Sequence, residues 1–179
     1  MIISDKKFVD KIEASNPNGK IFMMPVMQFP EVGPINKMGD YEPLRLYLNS
    51  NNLHYSYGSN KGRGDSEWQL DIEKLSPEDM VEKLQIYGFD AIVINRKGYE
   101  DKGDLVISGL KKYSNILAET DDYVAFQLKP SYEDSEPIIS FTKNNVSSSW
   151  STDEITHRWA RKSMADIAIT SFNKNITKK

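Results

Sequence analysis

A chain of 179 residues with 39% hydrophobic and 27% charged residues can bury one sizeable core, which excludes a disordered tail. Its 23 Lys and Arg against 26 Asp and Glu leave a net charge of −3 with no long block of either sign, so a nucleic-acid partner is not expected. The absence of cysteine excludes disulfides, thiolate catalysis and cysteine-ligated zinc.

Taken along the chain, Ser4 is positioned to cap a helix whose stripe is Phe8, Val9 and Ile12, and Asn16-Pro17-Asn18-Gly19 ends it. Residues 21–27 read as a strand, made an edge or bent by Pro25, because a proline cannot donate to a central ladder. A long shaped loop follows over residues 28–39. Asp40 is then expected to cap a helix that turns Leu44, Tyr47 and Leu48 inward. Residues 53–57 alternate as a strand, and residues 58–64, with three glycines, read as a loop.

The clearest local signal is Ser76-Pro77-Glu78-Asp79: an N-cap, a proline in the first turn and two acids at the positive helix end, with Leu75 and Met80 as a hydrophobic staple. Met80, Leu84 and Tyr87 share a face, Gly88 stops the helix, and Phe89 with residues 91–94 makes a short buried strand. Residues 105–113 form a further helix, and residues 116–119 and 123–128 flank Asp121-Asp122 as a β-hairpin.

Strands alternating with helices predict an α/β fold, a layered sandwich with a mixed, mainly parallel sheet. Residues 1–130 form that domain in this reading. Residues 131–179 are a linker and a partial, short β-rich C-terminal appendage containing Trp150 and Trp159. With no signal-peptide core and no run of about 18 apolar residues, the chain as given neither exports nor anchors itself.

No complete active site is legible, and the catalytic residues are unknown. His54 and His157 lack metal-ligand spacing, so no metal and no cofactor is expected; His54 reads as an ordinary strand histidine. There is no GxSxG nucleophile elbow. The loop Gly58-Ser59-Asn60-Lys61-Gly62-Arg63-Gly64-Asp65 is either an ordinary flexible loop or an anion- or glycan-contacting one, and it has neither the Walker nor the GxGxxG order. Glu31, Asp40, Glu42 and Asp65 lie where strand ends are expected, and an acid and base pair there competes with simple capping. Tyr41, Tyr55, Tyr57, Trp68 and Tyr99 are of the type that stacks on carbohydrate, though core packing accounts for most of them equally well.

Pro25, Phe29-Pro30-Glu31, Met38-Gly39-Asp40-Tyr41-Glu42, the Leu44-to-Leu48 helix, Tyr55-Ser56-Tyr57-Gly58, Lys61-Gly62-Arg63, Trp68, Gly88-Phe89-Asp90-Ala91-Ile92, Asn95-Arg96-Lys97-Gly98-Tyr99-Glu100-Asp101 and Asp121-Asp122 occur in order. This series resembles the soluble C-terminal domain of bacterial polytopic membrane proteins labelled phosphoglycerol transferase or sugar transferase, similar to GT-C-type glycosyltransferases. The match covers residues 8–128. Trp150, Glu154 and His157-Arg158-Trp159 look like the start of the β-rich segment that follows in that family.

The resemblance implies an extracytoplasmic accessory domain whose partners are the membrane-spanning N-terminal region of a parent protein and a glycan or lipid-linked sugar. The matched loop positions are the implied ligand-facing set: Glu31, Asp40, Tyr41, Arg45, Tyr57, Lys61, Arg63, Trp68, Arg96, Tyr99 and Asp101. Within it, Lys61, Arg63 and Arg96 are suited to a phosphate or acidic sugar. Two other readings stand beside this one: a free-standing enzyme acting on a phosphoester through Asp40, Asp65 and the Lys61-Arg63 loop, and a non-catalytic interaction module.

Overall fold

The computed structural model describes residues 2–131; the expected appendage, with Trp150 and Trp159, lies outside them. Five strands form one mixed sheet in the order β2-β1-β3-β5-β4. In chain order the elements are α1 (Ile2–Ser15), β1 (Lys20–Met24), α2 (Leu44–Leu48), β2 (His54–Tyr55), α3 (Gly64–Glu73), α4 (Pro77–Ile86), β3 (Ala91–Asn95), α5 (Asp104–Leu110), β4 (Ile116–Glu119) and β5 (Tyr123–Gln127). A single 3-10 turn, Arg96–Gly98, follows β3. Strands β2, β1 and β3 are parallel, while β5 runs antiparallel to both β3 and β4. The α/β class and the layered, mixed sheet are therefore as the sequence predicts.

The inner strands are buried on both faces, and their alternation divides the interior in two. Phe22, Met24, Ile92, Ile94, Val124 and Phe126 point to one core, which α3, α4 and α5 cover with Trp68, Ile72, Met80, Leu84, Ile107 and Leu110. Ile21, Met23, Ala91, Val93, Tyr123 and Ala125 point to the other, which α1 and α2 cover with Phe8, Val9, Ile12 and Leu46. The result is three layers, helices on either side of the sheet.

Several local expectations are corrected. Helix α1 already includes Ser4, which therefore does not cap it. Strand β1 is interior rather than an edge and stops at Met24, so Pro25 follows the ladder instead of bending it. Asp40 does not cap α2, which begins four residues later at Leu44; its carboxylate accepts instead from the amides of Val32 and Gly33 at 3.2 and 2.9 Å and closes the long loop on itself. Leu46, not Tyr47 or Leu48, turns inward: Tyr47 is 57% and Leu48 77% exposed. The strand expected over residues 53–57 shortens to His54–Tyr55. Helix α3 is an addition, since its apolar stripe is little more than Trp68 and Ile72 and its start lies among glycines.

The signals around α4 hold. Ser76 accepts from the Asp79 amide, Pro77 opens the helix, and Gly88 takes a positive φ of 74° just past its end.

In sheets of this kind a ligand crevice forms beyond the carboxyl ends of the strands, where the chain reverses its direction of winding. That point lies between β1 and β3, because β1 connects outward to β2 and the chain then crosses back to β3. Here Pro25, just past β1, and the turn after β3 come together. The Pro25 ring lies so close to Gly98 that a methyl group on Gly98 would come within 2.3 Å of Pro25 Cγ, with Met38 next behind.

Gly98→Ala must push this contact apart. It is expected to lower stability by about 1–3 kcal/mol, the usual range for overpacking, and a denaturant midpoint unchanged from wild type would contradict the tight approach.

At the end of α3, burial raises the Glu73 carboxyl above its ordinary range, and the hydrogen bond it accepts from the Val26 amide at 3.1 Å opposes that only in part. The folded state thus holds the Glu73 proton more tightly than the unfolded state. Its contribution is complete below the unfolded value and is lost as pH rises through the higher folded value. Glu73→Gln keeps the acceptor and removes the charge. Its denaturation midpoint is expected to exceed that of wild type at neutral pH, the gap closing below about pH 4.

Candidate functional site

Concave surface is found at the β2 edge of the sheet. A cavity of roughly 350 Å³ lies there, lined by Phe29, Pro43, Leu44, Tyr47, Leu53, His54, Tyr55, Tyr57 and Gly58. That volume is at the lower end of the range of small-molecule sites. Four aromatic rings and a histidine ring contribute to nine lining residues.

Each wall has a local cause. His54 and Tyr55 enter from the short edge strand, which pairs with Lys20 and Ile21 of β1, and Leu53 from the residue just before it. Glu13 of α1 shapes the approach to it by accepting from the amides of Asn51 and Asn52 at 2.6 and 2.9 Å. Beyond the strand, Gly58 has a φ of 106°, a turn a side chain would resist, and it carries the chain away from Tyr57. Phe29 is fixed by backbone pairing, its amide donating to Ser59 O and its carbonyl accepting from the Lys61 amide, both at 2.9 Å. Pro43, Leu44 and Tyr47 come from the start and the outer side of α2.

Two phenols serve as struts. Tyr57 Oη donates to Asp40 O at 2.8 Å and Tyr55 Oη to Leu46 O at 3.4 Å. Burial raises the values of both phenols, so both stay protonated donors at neutral pH. Tyr47 meets Tyr55 edge to face, with centroids 6.4 Å apart. Neither the Tyr47 hydroxyl nor the His54 ring makes a hydrogen bond to a described residue, which leaves two polar groups of the lining for a ligand.

Helix α2 is held by a charge network at the carboxyl end of the sheet. Arg45 donates to Asp5 Oδ2 through Nη2 at 2.7 Å and Nε at 3.2 Å, and to Glu42 Oε1 through Nη1 at 2.8 Å. Its Nη1 also lies 3.5 Å from Asp122 Oδ2, and its guanidinium stands 5.7 Å from the centre of the Tyr123 ring. Lys97 Nζ reaches Glu42 at 2.6 Å and Asp122 at 3.1 Å. Partial burial alone would lower the Arg45 and Lys97 values, but their carboxylate partners outweigh it and raise both. Three carboxylates and two cations therefore join α1, α2, the turn after β3 and the β4-β5 hairpin.

The eleven positions implied by the resemblance do not converge on one site. Tyr57 lines the cleft, and Asp40 supports it from behind through its carbonyl. Glu31 accepts from the Tyr41 hydroxyl at 2.8 Å in the exposed loop, and Arg45 is in the network. Lys61 and Arg63 are exposed in the loop that precedes α3. Arg96 bridges Glu119 at 2.6 Å and Asp104 at 3.3 Å. Trp68, only 9% exposed, lies within the core against Tyr87 and Phe89, and the Tyr99 ring packs on the same core.

Asp101 accepts from the amides of Leu105 and Gly103, both at 2.9 Å, and these bonds at the start of α5 hold its carboxyl below the ordinary range. Among the described residues no group of three or more His, Cys, Asp or Glu is placed to hold a metal ion.

Sequence reasoning singled out Tyr55 and Tyr57 as stacking aromatics but did not connect them with Tyr47 and Phe29, which three different segments bring together. The usable signal was aromatic density: Tyr47, Tyr55 and Tyr57 within eleven residues that also hold His54.

No family model, curated protein or solved structure matches this chain.

Replacing Arg45 strands a carboxylate, Asp5, that is only 4% exposed. Arg45→Met is expected to cost about 3 kcal/mol, the low end for a buried pair, because the guanidinium is itself partly solvated. Equilibrium unfolding measures it, and a loss of under about 0.5 kcal/mol, typical of a surface change, would contradict the role assigned to the network.

Proposed function

We propose that this chain is an accessory domain of a membrane-embedded cell-envelope glycosyl or phosphoglycerol transferase, acting on the extracytoplasmic face, and that its β2-edge cleft holds a sugar of the acceptor or donor. The cleft is the observation that carries this reading. A pyranose offers a face of C–H groups and a rim of hydroxyls. Phe29, Tyr47, Tyr55 and Tyr57 offer apolar ring surface, and the Tyr47 hydroxyl and the His54 ring offer hydrogen bonds at its margin.

The lining holds no Asp, Glu, Lys or Arg, so it is suited to retention of a ligand, and the transferase chemistry is assigned to the membrane-embedded part of the parent. Support for that parent is the ordered series of short matches over residues 8–128. Among the described residues no helix is long and apolar enough to cross a membrane, so on this reading the spanning segments belong to the preceding part of the protein.

The phosphoester reading has less to stand on. The Asp40 carboxylate is occupied by two loop amides, and Asp65 is 8% exposed at the buried start of α3. The interaction-module reading is favoured by exposed apolar side chains among the described residues, Leu48 beside Tyr47 on α2 and Leu105 on α5.

Tyr47→Ala separates these readings. Because Tyr47 is exposed, its loss is expected to change stability by less than about 0.5 kcal/mol. It is expected to weaken binding of neutral oligosaccharides to the full chain about five- to tenfold, as removal of one stacking ring would. Undiminished binding, or no binding by wild type, would remove the cleft from the account. The parent is tested separately: the reading frame upstream of the Met1 codon is expected to encode several apolar segments of about 20 residues, and a stop codon there would contradict a membrane-embedded parent.

A further inference from the structure

We infer that the β2-edge cleft selects an uncharged sugar and discriminates against phosphorylated or acidic ones; the inference rests on the glycan reading above and names its substrate class. The first observation is the lining itself, nine residues without a Lys, Arg, Asp or Glu. An anion seated there loses its hydration and meets no lysine or arginine among the lining residues, a cost that a mostly apolar cleft returns poorly.

The second is the sign of the charges behind the walls. Glu13 holds the turn that leads into Leu53 and His54, and the Asp40 carboxylate belongs to the residue whose carbonyl receives the Tyr57 hydroxyl. Both act electrostatically on cleft phenols, Glu13 on Tyr55 and Asp40 on Tyr57, and in the direction that disfavours further negative charge.

The third is the engagement of nearby cations. Arg45 faces Asp5, Glu42 and Asp122, and Lys97 faces Glu42 and Asp122. Arg96 faces Asp104 and Glu119. A phosphate would have to displace a carboxylate to recruit Arg45, Lys97 or Arg96. Lys61 and Arg63, three and five residues past Gly58 on an exposed loop, are not among the lining residues.

Isothermal titration of the full chain with neutral hexose disaccharides, with their 6-phosphorylated counterparts and with glycerol phosphate tests the inference. The neutral sugars are expected to bind at least about tenfold more tightly than the phosphorylated ones. Their affinity should change less than about twofold between about 50 and about 500 mM salt, since no charge pair forms. The double substitution Lys61→Ala, Arg63→Ala should leave it unchanged.

Tighter binding of the phosphorylated sugars, lost in high salt or in the double variant, would overturn the selectivity while leaving a glycan site standing. Binding of glycerol phosphate alone would overturn both the selectivity and the glycan reading. Binding of none of the probes would do the same. A neutral-sugar affinity that survives Tyr47→Ala would overturn the location.

Discussion

The rest of the structure depends on the two-sided burial of β1, β3 and β5. Every residue of β1 and β3 is buried, and successive side chains feed opposite cores, so helices must cover both faces. Nearly every side chain of these strands is therefore committed to packing, Gln127 at the end of β5 excepted. Beyond their carboxyl ends, Pro25 approaches Gly98 at the switch point where α/β sheets commonly bind ligands. A concavity lies at the edge, where β2 is only two residues long and Tyr55 and Tyr57 line it.

Charge completes what burial leaves open. Helix α2 has five residues and buries one of them, Leu46, so packing alone does not fix it. Arg45 joins it to α1 through Asp5 and to the hairpin through Asp122, and Lys97 joins Glu42 of the same segment to the turn after β3. Pro43, Leu44 and Tyr47 are carried on this helix and its approach, so the network that stabilises the fold also sets the outer wall of the cleft. The same carboxylates neutralise Arg45 and Lys97, so on the proposal above the stability of the region and a preference for an uncharged ligand share one network.

How legible this was in the sequence follows from the range of each interaction. Helix α4, β3 and the β4-β5 hairpin were readable because their signals are local: Ser76 and Pro77, the apolar run before Asn95, and Asp121-Asp122 between two strand patterns. Helix α3 was not, since a stripe of Trp68 and Ile72 within polar sequence looks like a loop until the sheet supplies the surface it covers. The face of α2 was misread because Leu44, Tyr47 and Leu48 have helical spacing, whereas the interior lies under Leu46. Aromatic residues could be named as stacking candidates, but only the fold shows that Tyr55 and Tyr57, although packed on one core, also line the edge cleft, whereas Trp68 and Tyr99 pack on the other core away from it. Arg96 read as an anion-binding cation and Arg45 as a ligand-facing one because, apart from Glu42 three residues from Arg45, their carboxylate partners lie between 8 and 77 residues away in the chain.

The central claim is that a sugar seats in the β2-edge cleft, and the most direct measurement is an amide and aromatic chemical-shift map of the isotope-labelled full chain titrated with a neutral disaccharide. The account predicts saturable shifts confined to Phe29, residues 43–47 and residues 53–58, with the inner strands unmoved. Saturable shifts centred instead on residues 60–65 or 96–101, or none anywhere in the chain, would contradict it.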